Sequence, residues 1–133
     1  MRRTLIIFLT VILLPHSLTA AQDPWVEIGI ERIDGVAAPG FTLKDMRGDY
    51  ISLEDFKGRP VFLNFWATWC PPCTAEMPAI EKLHRSFKDR GLVVVAINYL
   101  EDRDRILKYI RKMGYTFTVL MDSDGYVKRN YRL

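Results

Sequence analysis

The two cysteines are the residues whose type and spacing most directly suggest chemistry. Cys70 and Cys73 are the only cysteines in the chain, and two prolines separate them. A pair at this spacing serves as half of a metal site, as a permanent structural disulfide, or as a redox couple that opens and closes during a reaction. The rest of the sequence helps to decide among these three possibilities.

The sequence offers little support for a metal site or for a permanent structural disulfide. Zinc needs four ligands, and the chain has no second cysteine pair. His84 lies among apolar residues of a predicted helix, where packing explains it. Residues 122–125 resemble the start of a calcium loop, but Val127 and Leu133 occupy the positions that require glycine and glutamate. A disulfide that closes so small a loop removes little entropy from the unfolded chain. The redox couple is therefore the favoured interpretation, and we expect no metal and no cofactor.

The first 21 residues have the pattern of an export signal. Two arginines precede an apolar run that is shorter than the roughly 20 residues of a membrane-spanning helix, and small residues follow it. We predict a signal peptide over residues 1–21, cleaved after Ala20 or Ala21, and a periplasmic protein. The alternative is an uncleaved segment that anchors the protein in the inner membrane, facing the periplasm, because Leu18 fits poorly at its place before the cut.

The remaining composition indicates one globular domain. The 133 residues are 49% hydrophobic and 26% charged, and the formal net charge is +3. Two of the positive charges lie in the signal, and no basic cluster follows it, so we expect no nucleic-acid partner. Residues 22–37 have no sustained period and are predicted to be a connecting segment.

Apolar periodicity beyond residue 37 predicts an α/β domain. A hairpin with a Gly-containing turn comes first, and strands and helices then alternate, which indicates a parallel βαβ core. The Val61–Trp66 strand is predicted to be buried on both faces. The second long helix is predicted to turn Ile106, Ile110 and Met113 inward. The predicted elements are a helical turn after Ser52, strands over 61–66, 92–98 and 117–122, and helices over 71–90 and 101–114.

This arrangement places the cysteines at a reactive position. They follow the carboxyl end of the first buried strand, the edge where function is concentrated in open α/β sheets. Cys70 lies at or near the helix N-terminus, where unpaired N–H groups and the helix dipole stabilise a thiolate and lower its pKa. Cys73 follows one turn later, close enough to form a disulfide with Cys70. Pro71 and Pro72 are tolerated because they occupy the first turn.

Three stretches of the sequence carry a resemblance to a known family. APGFTL, LEDFKGRPVFLNFWATWCPPCTAEMP and LHRSFKDRGLVVVAIN resemble the exported thioredoxin-like reductases of the TlpA/ResA type, which are related to the redoxin (AhpC/TSA) superfamily. The resemblance implies a thioredoxin-like α/β fold over residues 38–133, with an N-terminal hairpin and a parallel βαβ core. It also implies that Cys70 is the attacking cysteine and Cys73 the resolving cysteine of a redox-active disulfide, with Trp69 beside them.

Three further positions refine this resemblance. Pro78 corresponds to the proline that bends the active-site helix. Asn64 stands where the general thioredoxin pattern has a buried aspartate, and an asparagine that hydrogen-bonds within the strand is the simpler interpretation. Glu76 corresponds to a glutamate of the ResA-type branch, and its carboxylate is predicted to accept the proton of Cys73 during the reaction.

The implied function is exported thiol-disulfide exchange. The resemblance favours a reductant of protein disulfides, with apocytochrome c as one candidate substrate and a membrane dithiol carrier as the electron donor. One alternative is a peroxiredoxin-like peroxidase, although Ala67 stands where that class has a threonine. The other is a non-enzymatic copper-handling module, for which Met77 would be the soft ligand, although packing explains that residue better.

The resemblance also implies a missing part. Related domains continue with a cis-proline that faces the cysteine pair, and then with a C-terminal ββα unit. All seven prolines lie at or before Pro78, and the given sequence ends at Leu133. We therefore expect an incomplete domain in which the Val61–Trp66 strand has an unpaired edge.

Overall fold

The structure is a computed structural model that describes residues 37–133. The predicted signal peptide over 1–21 and all but the last residue of the connecting segment over 22–37 lie outside the described residues. Five strands, three helices and two short 3-10 turns form the described part. The strands are β1 (Thr42–Asp45), β2 (Tyr50–Ser52), β3 (Val61–Trp66), β4 (Val93–Tyr99) and β5 (Thr118–Asp122). The helices are α1 (Pro71–Phe87), α2 (Arg103–Met113) and α3 (Tyr126–Asn130), and the 3-10 turns are Leu53–Phe56 and Lys88–Arg90.

Within residues 37–133, none of the helices has both the length and the apolar character that crossing a membrane requires.

The strands form one mixed sheet in the order β2-β1-β5-β4-β3. Strands β3, β4 and β5 are parallel, with Asn64 opposite Ala96 and Ile97 opposite Leu120. Strands β1 and β2 form an antiparallel hairpin that joins β5 through β1. The predicted α/β class, the parallel βαβ core and the N-terminal hairpin are all confirmed.

Strand β4 runs through the middle of the core, and its two sets of side chains pack on opposite faces. Val94 and Ala96 belong to one apolar cluster, and Val95 and Ile97 belong to the other. This alternation has the period of two that a strand imposes. The first cluster joins the sheet to α1 and α2 through Met77, Ile80 and Ile106, all buried. Because both faces are covered, the sequence of β4 is a continuous apolar run.

Strand β3 is less buried than predicted. It lies at an edge of the described sheet with only β4 beside it, and the edge expected for Val61–Trp66 is therefore observed in the described residues. The expectation that both of its faces are buried was wrong, because only Trp66 is buried and Phe62 is 38% exposed. An edge strand is covered by fewer neighbouring elements than a central one.

Two features of the helices were not anticipated. Met113 was expected to face inward, but it is 44% exposed. It is the last residue of α2, and Ile110 is the last side chain of that face that packs against the core. Helix α3 was not predicted at all. The buried carboxylate of Asp122 accepts hydrogen bonds from the N–H groups of Val127 and Lys128, at 3.2 and 2.9 Å, which stabilises this short helix.

Candidate active site

The cysteine pair begins helix α1. Cys70 is the N-cap residue of this helix, with extended φ and ψ of −102° and 95°, and Cys73 lies in its first turn. The two form a disulfide, and their Cα atoms are 5.3 Å apart. The N–H of Thr74 donates to the carbonyl of Cys70 at 3.0 Å, which anchors the first residue of the pair to the helix. The structure therefore places both cysteines at the carboxyl end of β3, as the sequence predicted.

The two prolines shape the helix start. Pro71 and Pro72 occupy the first helical positions, where a missing N–H leaves no hydrogen bond unmade. Because prolines carry no backbone N–H, the first helical N–H available to an anion is that of Cys73. Pro78 lies in the interior of α1, where it removes one N–H from the helical ladder. The predicted bend at this position stays a prediction.

A small aromatic cavity of about 80 Å³ adjoins the disulfide. The lining residues are Phe65, Trp66, Ala67, Trp69, Cys70, Cys73, Tyr99 and Lys128. Trp69 is 55% exposed, and its ring meets that of Tyr99 edge-on, with centroids 6.5 Å apart. The ammonium of Lys128 lies 4.3 Å from the centre of the Tyr99 ring. The cysteines are thus framed by aromatic rings and by one cation.

The two cysteines have different surroundings. Cys73 packs against the apolar cluster that contains Trp66 and Met77. Cys70 lies at the helix end, next to the exposed Trp69. A sulfur at the helix end is better placed to meet an external partner than a sulfur packed against the core. We call Cys70 the outer thiol and Cys73 the inner thiol. Both are half-buried, and their roles as attacking and resolving cysteine stay predictions.

Glu76 lies outside the cavity that adjoins the disulfide. It is exposed on α1. Its predicted role as proton acceptor stays a prediction. Asn64 is half-buried, and its side-chain Oδ1 is buried without a hydrogen-bond partner among the described residues. The expectation that Asn64 hydrogen-bonds within the strand is therefore wrong for this oxygen.

Sequence reasoning missed one buried carboxylate close to the pair. Glu101 follows β4 by two residues and is only 8% exposed. It accepts a hydrogen bond from the backbone N–H of Thr68, two residues before Cys70, at 2.7 Å. Its position just past the end of a strand parallel to β3 was the available signal, because the carboxyl ends of parallel strands share one sheet edge.

Comparisons with known proteins identify relatives of the described domain. The AhpC/TSA family profile matches residues 35–133. The thiol-disulfide oxidoreductase ResA of Bacillus subtilis is 40% identical over 98 residues, which is 74% of this chain and 55% of the relative. The thioredoxin-like protein YneN of the same organism is 43% identical over 102 residues, 74% of this chain and 58% of the relative. The chain thus spans about half the length of the curated relatives it matches.

A solved structure supports the fold. The thioredoxin domain of a thiol-disulfide oxidoreductase from Bacteroides vulgatus superposes with a TM-score of 0.70 at 27% sequence identity. The match covers 77% of this chain and 76% of that chain. The predicted thioredoxin-like fold is confirmed by this likeness. With a family profile that extends over the whole described domain and a cysteine pair at its active-site helix, the chain belongs to the AhpC/TSA family.

Proposed function

We propose that this protein is a thiol-disulfide oxidoreductase of the ResA type, with Cys70 and Cys73 as its redox couple. One observation carries the proposal: the disulfide lies at the N-terminus of α1, with Cys70 at the cap and Cys73 against the core. A couple at the start of a helix has one thiolate that the helix N-terminus stabilises and a second thiol within reach of it. ResA of Bacillus subtilis and the Bacteroides vulgatus protein are both thiol-disulfide oxidoreductases, which supports the same activity.

The first step is attack on a partner protein. The Cys70 thiolate attacks one sulfur of the partner's disulfide, and a mixed disulfide forms as the partner's own S–S bond breaks. The second partner sulfur leaves as a thiolate and takes a proton from water. The exposed ring of Trp69, beside Cys70, offers apolar surface on which a partner segment can pack.

The second step releases the partner. Cys73 loses its proton and attacks the sulfur of Cys70, so the partner's remaining sulfur leaves as a thiolate. Two electrons have then passed from the Cys70–Cys73 dithiol to the partner's disulfide. The protein ends with its own disulfide closed, which is the state of this structure. We propose Glu76, three residues beyond Cys73 on α1, as the group that accepts the Cys73 proton through intervening water.

The direction, the location and the partners are parts of the same proposal. We propose a reductant that acts outside the cytoplasm on protein disulfides, with apocytochrome c as one candidate, and that receives electrons from a membrane dithiol carrier. The apolar pattern of the first 21 residues supports the location, and the resemblance of the CPPC region to the TlpA/ResA type supports the direction and the partners. Thiol-disulfide exchange by Cys70 and Cys73 uses the two thiols alone, so we propose no cofactor.

Equilibration with glutathione tests the activity. Protein incubated in buffers of graded glutathione ratio is quenched with an alkylating agent, and the fraction of closed disulfide is measured by mass spectrometry. We expect one reversible two-electron transition, with a potential nearer to that of thioredoxin, about −270 mV, than to that of the oxidant DsbA, about −120 mV. Rapid peroxide consumption would instead favour a peroxidase. Stoichiometric Cu(I) uptake without exchange would favour the copper-handling module.

A further inference from the structure

The carboxylate of Glu101 is buried, and each of its oxygens accepts a hydrogen bond. Its side chain is 2% exposed. Oε2 accepts hydrogen bonds from the backbone N–H of Thr68 at 2.7 Å and from Asn98 Nδ2 at 2.8 Å. Oε1 accepts a hydrogen bond from the Thr68 hydroxyl and meets Arg105 Nε at 3.1 Å. Three hydrogen bonds and one ion pair therefore hold the carboxylate.

These contacts hold the turn that leads into Cys70. The N–H of Cys70 donates to the carbonyl of Ala67 at 3.2 Å, which closes the turn around Thr68. Glu101 holds both the backbone and the side chain of Thr68, and Arg105 Nε donates to the Thr68 hydroxyl oxygen at 3.1 Å. The turn that leads into Cys70 is thus held by a carboxylate that follows a different strand.

We propose that Glu101 is a positioning residue for thiol-disulfide exchange, because it fixes the Thr68 turn and so keeps the Cys70 sulfur at the N-terminus of α1. The inference rests on the proposed function. Stabilisation of an anion by a helix terminus fades within one turn, so a loosened turn removes part of it. The charge of Glu101 has the opposite effect, because a nearby carboxylate disfavours a thiolate. Arg105, in contact with Glu101, offsets that charge.

A glutamine at this position separates the two effects. In Glu101→Gln the new amide N–H₂ would face either the N–H groups of Thr68 and Asn98, where donors would meet, or the Thr68 hydroxyl, which would have to turn and accept. In either orientation the turn loses a hydrogen bond to an ionised carboxylate, which is stronger than one to a neutral amide. If Glu101 acts by position, the pKa of the Cys70 thiol rises in this variant. If it acts by charge alone, that pKa falls.

The other charged and titratable groups around Cys70 stay the same in these variants. Lys128 of α3 and Tyr99 of β4 line the cavity with the cysteines, and Glu76 lies on α1. Arg105 belongs to α2 and remains in the glutamine variant. A change in the titration of Cys70 is therefore assigned to position 101.

The chain contains a matched control in Glu81. This glutamate of α1 is also buried, and it accepts hydrogen bonds from the N–H and the hydroxyl of Thr116 at 2.9 and 2.7 Å. Its Oε1 meets the Nε of Arg85, four residues later, as Glu101 meets that of Arg105. Each of the two carboxylates thus accepts hydrogen bonds from the N–H and the hydroxyl of one threonine and contacts an arginine, but of the two only Glu101 holds the turn before Cys70. Glu81→Gln removes the same kind of interaction away from the cysteines.

The experiment measures the rate of Cys70 alkylation by iodoacetamide against pH in the reduced full chain, and the rate of exchange with oxidised glutathione at neutral pH. For Glu101→Gln we expect the alkylation midpoint to move to higher pH. We also expect the exchange rate to fall by up to about a hundredfold, the loss that a 1 Å displacement of a reacting group can cause. For Glu81→Gln we expect an unchanged midpoint and a lower resistance to urea. A midpoint in Glu101→Gln that stays or falls, or one that rises equally in Glu81→Gln, would overturn the inference.

Thr68→Val provides a second variant should Glu101→Gln fail to fold. It removes the hydroxyl but keeps the N–H that Glu101 holds, so we expect a smaller shift in the same direction. In the double variant the shifts should not add, because both substitutions act through one contact. Additive shifts of the alkylation midpoint, or no shift in Thr68→Val, would contradict the role of the contact between Glu101 and Thr68. A wild-type protein that does not exchange with glutathione at all would overturn the proposed function, whereas exchange in the wild type with unshifted variants would overturn only the role of Glu101.

Discussion

Substitution of Gly125 by alanine tests how closely α3 and β4 pack beside the cysteines. Gly125 is the N-cap residue of α3, and its φ of 70° lies in the left-handed region. A Cβ added there would lie 2.5 Å from Cε2 of Tyr99 and 3.0 Å from a terminal nitrogen of Arg129. Carbon atoms in good contact are about 3.5–4.0 Å apart, so the Tyr99 ring would have to move by about 1 Å.

The structure supplies a control for the backbone part of this effect. Gly114 has a φ of 72°, nearly that of Gly125, but nothing lies within 4 Å of an added Cβ. Left-handed backbone costs an alanine about 1–2 kcal/mol, and the lower entropy of its unfolded chain offsets about 0.4–1 kcal/mol of this. We therefore expect Gly114→Ala to lose about 1 kcal/mol of unfolding free energy. Gly125→Ala adds an overpacking cost of about 1–3 kcal/mol.

Urea unfolding followed by tryptophan fluorescence measures both variants. The difference between their unfolding free energies isolates the clash with Tyr99, because the backbone strain is common to both. Tyr99 lines the cavity at the disulfide, so Gly125→Ala should also slow exchange with glutathione, and Gly114→Ala should not. Equal losses of stability in the two variants, within about 0.5 kcal/mol, would refute the packing described here.

Three further predictions concern the core, acid stability and proton transfer. Met77→Ala should lose about 2–5 kcal/mol of unfolding free energy, because Met77 is fully buried. Met113→Ala should change that free energy by less than about 0.5 kcal/mol, because Met113 is exposed. Equal losses in urea unfolding would contradict the burial of Met77 and the exposure of Met113. Burial raises the pKa of Glu81, but hydrogen bonds from Thr116 and Arg85 outweigh burial and hold that pKa below the ordinary glutamate value. The contribution of Glu81 to the free energy of unfolding is therefore complete at a pH above the ordinary glutamate pKa, and it is lost as the pH falls through the lowered pKa. Urea titrations at graded acidity should therefore show a steeper loss in the wild type than in Glu81→Gln, and parallel losses would argue against it. Glu76→Gln should slow release of the mixed disulfide and shift the pH profile of that step in stopped-flow measurements, whereas an unchanged profile would leave Glu76 as a surface carboxylate.

The order of elements could be predicted because each element carries a local pattern. The apolar runs of β3 and β4, the helical spacing of α1 and the prolines after Cys70 indicate their structures without knowledge of the rest of the chain. Burial could not be predicted in the same way. A continuous apolar run predicts a strand covered on both faces, but β3 has only one neighbour among the described residues. Helix α3 was missed because its stabilising carboxylate, Asp122, belongs to the preceding strand.

In the site, too, some features could be predicted from local sequence and others could not. The cysteine pair, the prolines and Trp69 are contiguous, so their arrangement at the helix start followed from the motif. Glu101 lies 33 residues from Thr68 in the sequence, and no local pattern joins the two. Their contact arises only because β3 and β4 are parallel neighbours that end at one edge of the sheet. Contacts of this kind depend on the register between strands, which hydrophobic periodicity does not determine.

Trapping of a mixed disulfide tests most directly whether Cys70 attacks and Cys73 resolves. Reduced wild-type protein, Cys73→Ala and Cys70→Ala are each mixed with oxidised glutathione, and intact masses are followed over time. We expect Cys73→Ala to accumulate one stable glutathione adduct at Cys70, because no inner thiol remains to release it. The wild type should pass on to the closed disulfide, and Cys70→Ala should react much more slowly. Faster adduct formation in Cys70→Ala, or a stable adduct on the wild type, would contradict the assignment of the outer and inner thiols.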